Sequence, residues 1–324
     1  MDINRLKEEI SEEWGEFERV LKETLVSSSD LLNTINSYLV ENNGKQVRPL
    51  LSILAARALG KPHRLTISCA VVSEMIHTAT LLHDDVADDS SYRRGKETVQ
   101  SRFNPAASVL TGDYWLAKAL SLIVNEKDMG VMGYFTKAVQ ELAEGEIFQM
   151  QKASSLDTTE EDYYKIIGQK TSSLFVAAVE SAVFTMNPGK DVVERMGRYA
   201  YHLGLAFQIK DDIFDYAPQM DTGKPAGGDI KERKLTLPLI AALKRAGSSE
   251  REEMLKAVKD ASPEDNTLAL KAYNMVEKYG GKIVAQRALE EHCSIAINCL
   301  DALPDNVFKS HLISLTKYMG SRER

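Results

Sequence analysis

Apolar residues recur three and four apart along nearly the whole chain, and strand-like alternation is rare. That period predicts helices over about residues 4–24, 30–42, 47–59, 64–88, 105–125, 129–153, 160–186, 190–217, 235–246, 264–279, 281–302 and 306–319. The prolines fall mostly at the joints, at Pro49, Pro62, Pro105, Pro188, Pro263 and Pro304. Asp191 is a candidate helix cap, and Gly60 a candidate helix end before Pro62. No hairpin dipeptide separates alternating runs, so the expected class is all-α.

Two of these segments have no polar face. Residues 66–85 carry Ile67, Ala70, Val71, Val72, Met75, Ile76, Ala79, Leu81 and Leu82, and residues 196–214 read similarly. A helix apolar all round belongs inside a bundle. The most loop-like stretch, YAPQMDTGKPAGGDIKERK, follows the second segment, and its Gly, Pro and Lys content suits a flap that carries cations over a site. No repeat, low-complexity run or domain-sized linker is visible, so residues 1–324 are expected to form a single domain.

Composition narrows the function classes. A net charge of −7 argues against general nucleic-acid binding, which needs a basic face. The charged start, MDINRLKEEISEEW, lacks the apolar core of a signal peptide, and no uninterrupted apolar run approaches bilayer-spanning length. Cys69, Cys293 and Cys299 show no metal-type clustering and suit free thiols in a reducing compartment, so a cytoplasmic location is expected.

Each apolar segment ends in Asp-Asp-x-x-Asp: Asp84, Asp85 and Asp88, then Asp211, Asp212 and Asp215. On a helix the first and last members of each set project together and repel unless a cation lies between them. Hard carboxylate oxygens suit Mg²⁺, which keeps waters and takes phosphate oxygens from a substrate. Two such clusters facing one another would hold several Mg²⁺ ions around a diphosphate. One copy alone is better explained as a solvated acidic turn; two copies, each followed by basic residues, are not. Candidate cations are Lys45, Arg48, Arg93, Arg94, Lys170, Lys210, Lys224 and Lys234, with Lys231 and Arg233 weighted less as solvated charges. His77, two turns before Asp84, is either a core histidine or a ligand contact, and His83 could orient a carboxylate. Gln208 faces the same side as the second cluster and bonds either a diphosphate oxygen or a neighbouring helix. No nucleotide loop is present.

The strings LLHDDVADDSSYRRGKETV, SVLTGDYWLAKAL, QKTSSLF, GLAFQIKDDIFDY and GKPAGGDIKERKLTLPLI resemble, in order, the motifs of the trans-isoprenyl diphosphate synthases, or polyprenyl synthetases. The resemblance implies an all-α isoprenoid-synthase helical bundle around a central apolar cavity, a homodimer, and three Mg²⁺ ions. It implies trans condensation of isopentenyl diphosphate onto an allylic diphosphate such as farnesyl diphosphate, by ionisation, condensation and elimination. Carried over by position, Asp84, Asp88 and Asp211 are the implied Mg²⁺ ligands, within two motifs that also contain Asp85, Asp212 and Asp215. Arg93 is implied to contact the allylic diphosphate and Arg94 isopentenyl diphosphate. Lys45, Arg48 and His77 match the rest of the isopentenyl diphosphate site; Lys170, Thr171, Gln208, Lys224 and Lys234 match allylic-diphosphate contacts. One departure stands out: the usual Gly-Gly-Lys-Arg run reads Asn43-Gly44-Lys45-Gln46, which leaves the site intact but suggests weaker binding there.

Product length follows from a small residue. The growing tail must pass beside the helix preceding Asp84, where a bulky side chain at position 79 would floor the cavity about 7 Å below the metals. Ala79 and Thr80 are small, so the tail can run on toward Ile76, Met75 and Val72, unless Ala79 serves only helix packing. By resemblance this implies a long-chain product of the heptaprenyl or octaprenyl kind, for quinone side chains. The alternatives are a short-chain (farnesyl or geranylgeranyl) synthase and, against the presence of all six aspartates, a non-catalytic subunit of a heteromeric enzyme. A terpene cyclase is disfavoured by the second DDIFD, and a di-iron bundle by the lack of Glu-x-x-His pairs.

Overall fold

A computed structural model describes residues 3–216, 227–261 and 266–321, and the chain is all-α. The helices are α1 Ile3–Glu9, α2 Ser11–Thr24, α3 Asp30–Glu41, α4 Val47–Arg57, α5 Arg64–Ala87, α6 Val99–Arg102, α7 Pro105–Asn125, α8 Met129–Ser155 and α9 Glu160–Ile167. After a π-helical turn, Gly168–Ser172, come α10 Ser173–Thr185, α11 Lys190–Asp215, α12 Gly228–Lys231, α13 Leu237–Arg245, α14 Ser248–Asp260, α15 Asn266–Lys278, α16 Gly281–Cys299 and α17 Val307–Ser321.

Most expected helices form where the period placed them, and the differences have local causes. The first splits at Ile10, whose φ of −118° and ψ of 33° lie outside the helical well. Helix α14 was missed because SSEREEMLKAVKD buries only Met254 and Val258, too thin a stripe to register as a period. One short hairpin forms without a hairpin dipeptide. β1 (Tyr92–Arg93) pairs antiparallel with β2 (Lys96–Glu97), and Arg94 and Gly95 take φ of 53° and 75° in the two-residue turn. Both turn residues are left-handed, as a type I′ turn requires, but an arginine rather than Asn stands first. Side chains cap several helix starts: the Asn104 side chain accepts from Ala107 N at 2.8 Å with Pro105 at the helix start, and Thr159 and Asp162 cap α9 reciprocally.

The chain divides into two compact units. The first comprises residues 1–139, 174–199 and 299–315. Its core is α5, whose Val71, Val72, Met75 and Ile76 are fully buried, together with Leu50, Leu51, Ile53 and Leu54 of α4. Such burial stabilises by roughly 1.5–3 kcal/mol per large side chain. Helix α5 is long and apolar enough to cross a membrane by length and composition, yet 72% of its apolar window is buried inside the protein, as in the core helix of a bundle. Trp115 of α7 donates to Asn36 Oδ1 at 2.8 Å, and Asn36 Nδ2 donates to Leu25 O at 2.8 Å, satisfying a buried amide.

The second unit comprises residues 140–173, 200–298 and 316–324. Leu205, Ile209 and Ile213 of α11, Leu237 and Leu239 of α13, Leu268, Ala272 and Val276 of α15, and Leu289 of α16 form its core. That core fixes the angular position of the aspartates at the end of α11.

Candidate active site

Both aspartate triads occupy the last turn of a buried helix. In the first unit α5 ends at Ala87, and the N–H of its C-cap Asp88 donates to Asp84 O at 2.9 Å. In the second unit α11 ends at Asp215. The C-terminal end of a helix carries partial negative charge, which disfavours carboxylates by about 0.3–1 kcal/mol each. Three carboxylates at that end need positive charge from elsewhere.

Within each triad the middle aspartate is turned inward and held. Asp85 is 4% exposed and accepts from Arg93 Nε at 2.7 Å. Its backbone oxygen accepts from Gln100 Nε2 at 2.7 Å and from Ser90 N at 2.9 Å, which docks the ribbon carrying Arg93 and Arg94 beside the triad. Asp212 is 2% exposed; Oδ2 accepts from the Tyr163 hydroxyl at 2.6 Å, and Oδ1 from Gln208 Nε2 at 2.8 Å. Burial pushes the Asp212 carboxyl up to about 7, against the pull of the Tyr163 and Gln208 hydrogen bonds and with the like charges of Asp211 and Asp215. The flanking aspartates differ: Asp84 and Asp211 are half-buried and Asp88 is exposed. Asp215 accepts from the backbone N–H of Gly228 at 3.0 Å and of Asp229 at 3.1 Å, tying the start of α12 to the triad.

Among the described residues no three His, Cys, Asp or Glu side chains converge as a ready-made metal cage. An open pair of carboxylates still fits Mg²⁺, which dehydrates reluctantly and completes its octahedron with water and phosphate oxygens. The donor set is all hard oxygen, which suits that ion and not a thiophilic one.

In the second unit a cavity of about 120 Å³ is lined by Lys170, Thr171, Gln208, Asp212 and Lys234, all expected from the sequence. Lys170 and Thr171 sit on the π-helical turn, a distortion of the kind that recurs at functional sites. Lys170 Nζ donates to Gln149 Oε1 at 3.0 Å and pairs with Glu146. Thr171 Oγ1 donates to Gln208 Oε1 at 2.8 Å, so a hydrogen-bonded chain runs Thr171–Gln208–Asp212–Tyr163. Lys234 pairs with Glu232 at 2.5 Å. Lys224 lies outside the described residues. Arg233 donates to Lys259 O at 3.0 Å.

In the first unit a cation cluster forms around the N-terminus of α4. A Cβ at Gly44 would lie 1.8 Å from Arg94 Nη1, so the guanidinium packs directly on the Gly44 backbone and would have to shift for any larger residue. Arg48 lies over the Phe175 ring, 4.6 Å from its centroid. His77 is held well below its usual range by burial and then by the charges of Arg48, Arg94 and Arg93, which makes it a neutral hydrogen-bonding group. The positive end of α4 adds to the attraction for an anion. His83 does not orient a triad carboxylate: it reaches α7, 3.4 Å from Asp113 Oδ1, across Gly112, where any Cβ would meet its ring. Further up α5, Ala79 and Ile76 are buried and Thr80 is half-buried.

Sequence reasoning missed Tyr163 and Asp229. Asp229 lines the cavity, and burial, then Asp215 and Asp212, push it well above the usual carboxylate range. It lies inside the flap string, but no spacing rule singles it out; Tyr163 sits in a plain helical period and gives no signal at all.

Residues 29–276 match the model of the family described as Polyprenyl synthetase. The chain is 34% identical over 327 residues to an octaprenyl diphosphate synthase of Escherichia coli (strain K12), covering 100% of both sequences. Its fold matches a decaprenyl diphosphate synthase from Rhodobacter capsulatus with a TM-score of 0.94 at 34% identity, covering 100% of both chains. It also matches a polyprenyl synthase from Caulobacter crescentus CB15, solved with calcium and isoprenyl diphosphate, with a TM-score of 0.92 at 30% identity, covering 100% of this chain and 98% of that one.

Proposed function

Because the chain belongs to the polyprenyl synthetase family and is a prenyltransferase of the long-chain kind, we propose that it condenses isopentenyl diphosphate onto farnesyl or a similar allylic diphosphate, in trans, to a heptaprenyl- or octaprenyl-like product for quinone side chains. The family is metal-dependent and acts on isoprenoid diphosphates. The observation that carries the proposal is the repeated triad: two sets of carboxylates on the negative ends of buried helices, each with its middle member held inward.

Asp84, Asp88 and Asp211 would hold the metal, taken to be three Mg²⁺ ions. Bound there, the metal supplies charge that neutralises the departing diphosphate. Lys170, Thr171, Gln208, Lys224, Lys234 and Arg93 bind and orient the allylic diphosphate, and Lys45, Arg48, His77 and Arg94 seat isopentenyl diphosphate. Asp85, Asp212 and Asp215 act as anchors: Asp85 aims Arg93, Asp212 fixes Gln208, and Asp215 holds the segment leading to Lys234. No general base is assigned; the departing diphosphate takes the proton. Ala79 leaves the path along α5 open toward Ile76, while the apolar wall keeps water from the allylic cation.

A homodimer in the cytoplasm completes the proposal. Leu110 and Val124 on α7 are exposed and four turns apart on one face; on the later part of α8, Ile147 and Met150 are exposed one turn apart. The purified chain, incubated with Mg²⁺, farnesyl diphosphate and isopentenyl diphosphate, should give products beyond the geranylgeranyl length on chromatography and none after chelation. Farnesyl or geranylgeranyl end products would favour the short-chain alternative, and no product at all the non-catalytic one.

A further inference from the structure

One buried acid and one half-buried base adjoin the cation cluster of the first unit without a role in the chemistry above. Glu74, a turn before His77 on α5, is 6% exposed, and its Oε2 has no hydrogen-bond partner. An ionised carboxylate in such a place needs compensating charge. Burial pushes its carboxyl above the usual range, and the charges of Arg48, Arg94 and then Lys7 pull it back toward ionisation. Arg48 and Arg94 are two of the residues placed on isopentenyl diphosphate; Lys7 comes from the first helix, far from every motif.

Lys7 is built into its position. Its Nζ donates to Gln46 Oε1 at 3.4 Å and lies 4.2 Å from the centroid of the Trp14 ring. Gln46 is 6% exposed, caps α4 in a left-handed conformation with φ of 54°, and separates Lys45 from the helix that carries Arg48. The ammonium therefore holds the side chain of the residue that links Lys45 to α4, and its charge also acts on Glu74.

We propose that Lys7 is a positioning residue of the isopentenyl diphosphate pocket, offsetting the buried Glu74 carboxylate and steadying Gln46 so that Arg48 and Arg94 keep their charge for the diphosphate. This rests on the assignment of Lys45, Arg48 and Arg94 to isopentenyl diphosphate. Without Lys7, Glu74 draws on the two arginines alone and repels the incoming diphosphate. The first helix, α1, is thereby part of the site.

Steady-state kinetics on the full chain test it. Lys7→Met should raise KM for isopentenyl diphosphate about fivefold, the size of one partly screened charge. KM for the allylic diphosphate should stay within about twofold, and Lys7→Arg should keep both values. Adding Glu74→Gln to Lys7→Met should restore KM, which a merely structural lysine would not allow. Should Lys7→Met fail to fold, the double variant compared with Glu74→Gln alone carries the test: KM values within about twofold support the proposal, since only the Gln46 contact then differs, and a rise of about fivefold or more in the double overturns it. Arg94→Gln separates the two levels. If it raises KM for isopentenyl diphosphate while Lys7→Met does not, the role of Lys7 is overturned and the site stands; if Arg94→Gln changes nothing, the site assignment falls and the proposal with it.

Discussion

Tyr163 shows how much a site depends on residues that never meet a substrate. Its hydroxyl supplies one of the two hydrogen bonds that keep Asp212 in place, and burial drives its own pKa well above the usual value, so it remains a donor across the working pH range. Tyr163→Phe removes the donor and leaves the ring. A buried carboxylate losing one partner costs about 1–3 kcal/mol, expected as a lower midpoint in denaturant unfolding. Gln208 then loses its fixed anchor, so KM for the allylic diphosphate should rise while KM for isopentenyl diphosphate does not. A variant with unchanged stability and kinetics would show that the 2.6 Å bond has no consequence.

Helices are the scale at which product length and pH response belong. Ala79 is 2% exposed on α5, five residues before Asp84, so a phenyl ring there would project into the path proposed for the tail. Ala79→Phe should shorten the products, as read by reversed-phase chromatography of the hydrolysed alcohols; products of unchanged length would place the tail elsewhere. Where α11 meets α16, His202 Nδ1 and His292 Nδ1 are 2.9 Å apart, so one ring must donate and the other accept. Tyr164 and Tyr201 flank the pair edge-on, and the charge of Glu291 bears on His292. Burial lowers the His292 pKa below its usual 6.5, so the folded chain resists the proton that the unfolded chain takes up. Stability from this pair is therefore present above that value and lost as pH falls through the folded pKa. The urea midpoint should fall between about pH 7.5 and pH 5.5, and His292→Phe should flatten that dependence.

For the whole molecule, the expected species is a dimer with twice the 36.1 kDa chain mass, measured by sedimentation or light scattering. Leu110→Asp with Val124→Asp on α7 should give monomers, since two carboxylates in an apolar interface leave buried charge unpaired. A wild-type chain that sediments as a monomer would remove the dimer from the proposal.

Period and motif order made the all-α class, most helix spans and both aspartate triads legible in the chain, because helix burial and i, i+4 projection are local properties. Even so, local signals failed at α14, whose two buried residues leave no stripe, and at the Arg94–Gly95 turn, which lacks the usual turn dipeptide. What only the folded chain decided is which members of each motif face inward. Asp84 and Asp85 are indistinguishable as letters, but the partner of Asp85 is an arginine in a ribbon eight residues on, and that of Asp212 a tyrosine 49 residues away. The same holds for Gly44, packed against a guanidinium from another segment, and for Lys7, which gains meaning only beside Gln46. Burial and hydrogen bonding between distant segments set charge and orientation, and no spacing along the chain encodes them.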